Sequence, residues 1–266
     1  MKEKQLYLVS KVAERQRTPR VSVVIPARNE AQNLQHVLPN IPSTVSEVIL
    51  IDGHSADNTI EAARQLYPSI RIIEQIGTGK GDALRVGFEA CTGDIIVMLD
   101  ADGSADPREI PFFVEALMLG NDFAKGTRFM QGGRSHDITW LRFLGNYGLS
   151  KLVNALFLTR FSDLCYGYNA FWKHCLEHVK VDSNGFEVET LINIRMHRAH
   201  LKIVEIPSVE YPRIYGTSNL NTFRDGFRVL KTILSERSRK VPIVYPHLSS
   251  LATALNIHEQ SPALRK

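Results

Sequence analysis

Between residues 21 and 119, short β-branched apolar runs alternate with segments of helical periodicity, and this alternation leaves few folds open to the chain. The apolar runs fall at 21–25, 47–51, 70–73 and 94–99, and the helical patterns at 30–38, 57–66, 81–90 and 107–119. Parallel strands need a crossover between them, and a helix is the usual crossover. The pattern βαβαβαβ therefore predicts an α/β domain: a mostly parallel, Rossmann-like central sheet with helices on its faces. Sheets of this kind bind ligands outside the carboxyl ends of their strands. Polar residues collect there: Pro26, Ala27, Arg28, Asn29 and Glu30 after the first strand, Asp52 to Asp57 after the second, and Asp100 and Asp102 after the fourth.

The last of these groups is the most specific. Asp100 and Asp102 close an apolar run with two carboxylates one residue apart. On an extended segment, residues two apart point the same way, so the pair can share one magnesium or manganese ion that bridges a diphosphate. The following Gly103-Ser104-Ala105-Asp106-Pro107 reads as a loop entering a helix. Gly77-Thr78-Gly79-Lys80-Gly81-Asp82 resembles a phosphate loop but lacks the four-residue spacing of a Walker A motif, which argues against ATP hydrolysis.

Beyond Asn121 the alternation breaks down. A short apolar piece at 123–124 leads to Gly126-Thr127-Arg128; residues 139–158 read as helical, 165–172 as extended, 187–200 as helical, 202–206 as a strand and 222–234 as a helix. No repeat, low-complexity block or linker interrupts the chain, so a single domain is expected over 21–240, after a polar leader (1–20) and before a tail (241–266). Within it, 21–120 is expected to bind the nucleotide and 121–240 to shape an acceptor site. Three widely spaced cysteines match neither a disulfide framework nor a zinc site and suit a reducing cytoplasm. A formal charge of +4 suits phosphorylated partners or an anionic membrane, and no basic block or nucleic-acid motif points to DNA or RNA. No apolar run reaches the roughly 18 residues of a membrane-spanning helix.

Taken in order, VSVVIPARNE, DGHSADNT, GKGDALRVG and MLDADGS resemble the family-2 glycosyltransferases of the GT-A nucleotide-sugar fold. GTRF, DLCYGYNAFWK, GFEVET and RIYGTSN extend the resemblance to the polyprenyl-phosphate (dolichol-phosphate) mannosyl- and glucosyltransferases, over roughly residues 21 to 235.

The resemblance implies an inverting transfer of a hexose from a nucleotide diphosphate sugar, GDP-mannose or UDP-glucose, to polyprenyl phosphate or a small-molecule acceptor. It implies that Pro26, Ala27 and Glu30 line the nucleoside pocket and that Asp52 closes it, accepting hydrogen bonds from base or ribose. It gives Lys80 to phosphate, Asp82 to base or ribose, and Asp100 and Asp102 to the nucleotide sugar and a Mg2+ or Mn2+ ion. Arg128 matches an arginine of the related enzymes, and Arg142 falls on the helix expected to face the acceptor. Asp163 matches a family carboxylate near the sugar. Of Glu187 and Glu189, two apart on a helix, one is expected to face the pocket, and Glu187 is preferred. Arg213 is a candidate for the diphosphate or an acceptor phosphate. Its segment departs from the family pattern, with Asn219 where the lipid-phosphate enzymes carry lysine.

In the last helix Phe223, Phe227, Leu230 and Leu234 form an apolar stripe among Arg224, Arg228 and Lys231. Such a stripe either packs on the domain or lies on a membrane surface; packing is the expectation, with peripheral membrane contact as the alternative. Two rival functions share the carboxylate pair. A nucleotidyltransferase would carry a glycine-rich loop after the first strand, which residues 26–30 lack, and a non-catalytic nucleotide-sugar-binding protein would not need the full set Asp52, Asp100, Asp102 and Arg128.

Overall fold

The computed structural model describes residues 18–217 and 220–239. Its core is a seven-stranded sheet in the order β3-β2-β1-β4-β7-β5-β8. The first four strands are β1 (Val21–Ala27), β2 (Glu47–Asp52), β3 (Arg71–Glu74) and β4 (Ile95–Met98); β5 is Phe123–Thr127, β7 Asn169–Trp172 and β8 Ile203–Pro207. β7 runs antiparallel between β4 and β5, and every other pairing in this sheet is parallel. A two-stranded parallel ribbon of β6 (Arg134–Ser135) and β9 (Val209–Glu210) stands beside it. The mostly parallel α/β sheet expected from the apolar alternation is therefore present.

Side-chain alternation divides the core into two layers. Val23, Ile25, Leu50, Ile95 and Val97 face one side, under α1 (Ala31–Val37), α2 (Thr59–Leu66) and α4 (Ile110–Met118). Val24, Ile49, Ile51, Ile96 and Met98 face the other, under α3 (Lys80–Ala90) and α6 (Val188–Arg198). A smaller apolar cluster, with Val153, Ile194, Val229 and Ile233, joins α6 to α5 (Trp140–Phe157) and α7 (Thr222–Ser238).

Three local expectations change. Asp100 and Asp102 lie past the end of β4, in a turn rather than on an extended segment. Of the extended stretch expected at 165–172, only Asn169–Trp172 is strand. The stripe of the last helix does not pack inward: Phe223 and Phe227 are 78% and 67% exposed, and the buried face of α7 carries Asp225, Val229, Ile233 and Glu236. The two carboxylates can be inside because Glu236 pairs with Arg195 at 2.6 Å and Asp225 accepts a hydrogen bond from the Asn221 backbone N–H.

Candidate active site

The strand ends and the second half of the chain meet in two adjoining cavities. The first, of about 410 Å3, is lined by Pro26, Ala27, Arg28 and Glu30 from the end of β1, Gly53 and His54 after β2, Gln75, Thr78, Gly79 and Lys80, and Arg213, Arg224 and Arg228. The second, of about 240 Å3, is lined by Arg128, Arg142, Asn146, Leu149, Tyr166, Glu189, Glu210 and Val229, among others. Lys80, Asp100, Asp102 and Phe186 line both. A larger open depression of about 1360 Å3 lies at the amino ends of the parallel strands, near Thr92 and Trp172, and contains none of the expected site residues.

On the first cavity, β1 and β2 bring Ala27 opposite Asp52 in register. Asp52 is buried; one carboxylate oxygen accepts from the Ser55 backbone N–H at 3.0 Å, and the other, Oδ1, has no partner among the described residues. A buried acceptor left open is costly unless something fills it, which suits a donor from a bound nucleoside. Glu30 accepts from Asn33 Nδ2 at 2.6 Å and pairs with Arg213. Burial pushes its carboxyl above the ordinary value while Arg213 and Asn33 pull the other way. The Arg213 guanidinium also lies 3.5 Å from Asp102, so it spans the nucleoside pocket and the carboxylate turn.

The glycines of the Gly77-to-Asp82 loop serve packing against the second half of the chain. A side chain at Gly79 would collide with the Asn184 carbonyl oxygen, and one at Gly81 with that of Ser183; Gly79 also has φ +91°, where L-residues are strained. The Gly81 N–H donates to the Asn184 carbonyl at 2.9 Å. Lys80 is thereby held at the wall between the cavities, 2.6 Å from Asp100 and 2.7 Å from Glu189. Burial alone would lower the ammonium, but the two carboxylates outweigh it and keep it charged.

Three expected roles need correction. Asp82 does not line the nucleotide cavity: it is buried beneath the loop, where it accepts from Gln75 Nε2 at 2.8 Å and pairs with Arg85. Asp163 is fully buried under Arg128, accepting from its Nε at 2.7 Å, its Nη2 at 3.0 Å and Asn146 Nδ2 at 3.0 Å. Burial pushes Asp163 upward, yet the Arg128 guanidinium outweighs it and holds the carboxyl below its ordinary range. It therefore orients Arg128 and does not reach a reacting group. Glu187 precedes α6 and accepts from the Gly185 N–H at 3.1 Å; Glu189, one turn position inside the helix, faces the cavity. The helical spacing separated the two glutamates correctly but could not tell which face was inward, because the helix start falls one residue after Glu187.

Arg128 is also held by Glu210, at 2.9 Å. Glu210 was not singled out by the sequence, since it lies 82 residues away from the arginine it holds. Arg142 lines the second cavity, and its guanidinium makes a long 3.4 Å contact to Thr222 Oγ1. Asn219 lies outside the described residues.

For a divalent ion, the described residues contain no cluster of three or more His, Cys, Asp or Glu side chains. Two carboxylates beside a phosphate cavity nevertheless fit magnesium or manganese, which are held by one or two carboxylates with substrate phosphates and water completing the shell. Asp102 is the freer of the two. Its Oδ1 accepts from the Ser104 N–H at 3.0 Å and its Oδ2 has Arg213 at 3.5 Å, whereas Asp100 is committed to Lys80.

The chain is similar to several known glycosyltransferases. The dolichol-phosphate mannosyltransferase of Pyrococcus furiosus is 31% identical over 211 residues, 76% of this chain and 59% of that protein, so the chain spans under two thirds of that relative. Glycosyltransferase AglJ of Haloferax volcanii is 28% identical over 243 residues, 89% of this chain and 79% of the relative. The fold matches Mycobacterium tuberculosis glucosyl-3-phosphoglycerate synthase, solved with Mn2+, UDP and glucosyl-3-phosphoglycerate, with a TM-score of 0.66 at 23% identity, covering 86% of this chain and 83% of that one. Residues 22–180 match the glycosyl transferase family 2 profile, and the chain belongs to that family.

Proposed function

We propose that this protein is an inverting, metal-dependent hexosyltransferase that moves a hexose from a nucleotide diphosphate sugar to polyprenyl phosphate. The observation that carries the reading is the meeting of two cavities at Asp100, Asp102 and Lys80: a nucleoside-sized pocket lined by Glu30 and Arg213 on one side, and a cavity lined by Arg128 and Arg142 on the other. Residues 21–120 hold the donor in this reading and 121–240 the acceptor. A Mg2+ or Mn2+ ion at Asp102, with Asp100 beside it, would supply charge neutralisation for the departing diphosphate.

The chain's own residues do the rest. Glu30 fixes the nucleoside, with Asp52 Oδ1, unpartnered among the described residues, just behind the pocket wall, while Arg213 and Lys80 present cations to the diphosphate. Arg142 grips an acceptor phosphate, for which a planar guanidinium is well suited, while Arg128, held by Asp163 and Glu210, adds positive charge to the cavity wall. An acceptor phosphate is already anionic and needs no general base. In keeping with this, two carboxylates of the second cavity are tied to cations: Glu210 to Arg128 and Glu189 to Lys80.

A lipid tail is supported by what surrounds the second cavity. Leu149, Leu220 and Val229 line it, and Trp140, Leu141, Leu144 and Tyr147 on α5, with Phe223 and Phe227 on α7, are exposed beside it. These aromatics, interleaved with Arg224 and Arg228, fit the surface of an anionic bilayer, and the free thiols of Cys91, Cys165 and Cys175 fit its cytoplasmic side. No helix among the described residues is long and apolar enough to cross a membrane.

The test is a product assay with Mn2+, offering GDP-mannose and UDP-glucose separately with polyprenyl phosphate in detergent and analysing the organic phase by mass spectrometry. A hexosyl-phosphoryl-lipid is the expected product. Donor hydrolysis without lipid product, together with transfer to a soluble phosphorylated acid, would replace the lipid acceptor by a small molecule.

A further inference from the structure

The donor's hexose has to occupy one place. It carries the diphosphate on its anomeric carbon and is attacked on the opposite side of that carbon, so it must lie where the two cavities meet. Four residues line both cavities: Lys80, Asp100, Asp102 and Phe186. Three are charged and already bound to one another or to Glu189 and Arg213. Phe186 is the apolar member.

Its surroundings set it apart from a core phenylalanine. Phe186 is half-buried, yet it belongs to none of the three apolar clusters and stacks on no other ring among the described residues. Its backbone is pinned on both sides. The glycine loop approaches Ser183 and Asn184 closely enough for the Gly81 N–H to donate to Asn184, and the Gly185 N–H donates to Glu187 Oε1 at 3.1 Å. An aromatic ring on a pinned backbone, outside the apolar clusters of the described residues, at a junction otherwise lined by charges is suited to a ligand that is polar at its rim and C–H-rich on one face. A hexose is such a ligand, because its ring C–H bonds present weak positive charge to the negative face of an aromatic ring.

We propose that Phe186 is the apolar wall of the hexose subsite, covering the C–H face of the transferred sugar, and so favours a nucleotide sugar over the free nucleoside diphosphate. The inference rests on the glycosyltransferase reading above. It further implies that the product diphosphate, having lost the sugar, leaves without this contact to overcome.

The test is calorimetric titration of the full chain with GDP, UDP, GDP-mannose and UDP-glucose in the presence of Mn2+, for wild type, Phe186→Ala and Phe186→Tyr. For the donor that binds, Phe186→Ala is expected to weaken the nucleotide sugar about three- to tenfold. The matching diphosphate should change by less than about twofold, and Phe186→Tyr should restore the sugar's advantage. Equal weakening of sugar nucleotide and diphosphate would overturn the inference by showing that the ring only supports the loop. An unchanged sugar nucleotide would overturn it by showing that the ring does not touch the sugar. Wild-type protein that binds neither nucleotide sugar would overturn the glycosyltransferase reading itself.

Discussion

The two halves of the site are held together by different forces. On the donor side, the strand ends β1, β2 and β4 deliver their loops by parallel register, and the residues behind them are almost entirely aliphatic. On the acceptor side, Arg128 is held by ion pairs to the buried Asp163 and to Glu210, and the helix α6 behind the cavity by the pair of Arg195 with Glu236. A hydrophobic frame tolerates small changes of volume, whereas a buried charge that loses its partner is left without compensation. The donor half should therefore fail mainly in chemistry, and the acceptor half in chemistry and folding together.

The largest expected effect is on the donor side. Asp102→Ala should reduce transfer by roughly a thousandfold or more while leaving the melting temperature nearly unchanged; a variant that retains activity at saturating nucleotide sugar would remove Asp102 from the reaction. Next, Arg128→Ala should cost about 3 to 5 kcal/mol by stranding Asp163 and Glu210, lowering Tm by roughly 10 °C as well as abolishing transfer. Calorimetry showing a stable but inactive variant would erase the contrast between the halves. The same pair has a pH signature. Because Asp163 is held below its ordinary range, its contribution is complete above about pH 4 and is lost as the pH falls through the lowered value, so Asp163→Asn should flatten the acid side of the Tm profile.

Glu189→Gln should reduce transfer about ten- to a hundredfold by weakening the hold on Lys80, an effect on the order of 1.5 to 3 kcal/mol, whereas Glu187→Gln should stay within about threefold. Reversal of that order in steady-state assays would restore the reading that prefers Glu187. The smallest effect belongs to the exposed stripe. Phe223→Ser with Phe227→Ser should leave the unfolding free energy within about 0.5 kcal/mol of wild type per site yet weaken sedimentation with anionic vesicles; unchanged vesicle binding would detach α7 from the membrane.

The contrast also explains what could be read in advance. Aliphatic alternation is a local signal, so β1 to β4 and their helices were legible from neighbouring residues, and with them Asp52, Asp100 and Asp102 at the strand ends. Ion-pair partners are not local: Arg128 lies 35 residues from Asp163, and Arg213 lies 183 residues from Glu30. No window of sequence contains both members. Asp163 accordingly resembled a site carboxylate when it is a strut for an arginine, and Glu189 and Glu210 were overlooked or ranked second. The stripe of α7 misled for a related reason. Periodicity shows that one face is apolar but not which face is covered, and here the covered face holds Asp225 and Glu236 because Arg195 and the helix's own first turn receive them.

The insertion of β7 also has a consequence for how the chain is made. β4 ends at Met98, but the strand that pairs with its open side begins only at Asn169. While the polypeptide emerges from the ribosome, the finished β3-β2-β1-β4 unit therefore presents Ile95 to Met98 as an uncapped edge, an invitation to intermolecular pairing. Only the arrival of β7 closes it, and the same event brings Tyr166 and Gly167 to the cavity wall. Protection of the nascent chain from aggregation thus precedes completion of the acceptor site, whose Glu189, Glu210 and Val229 follow β7 in the chain.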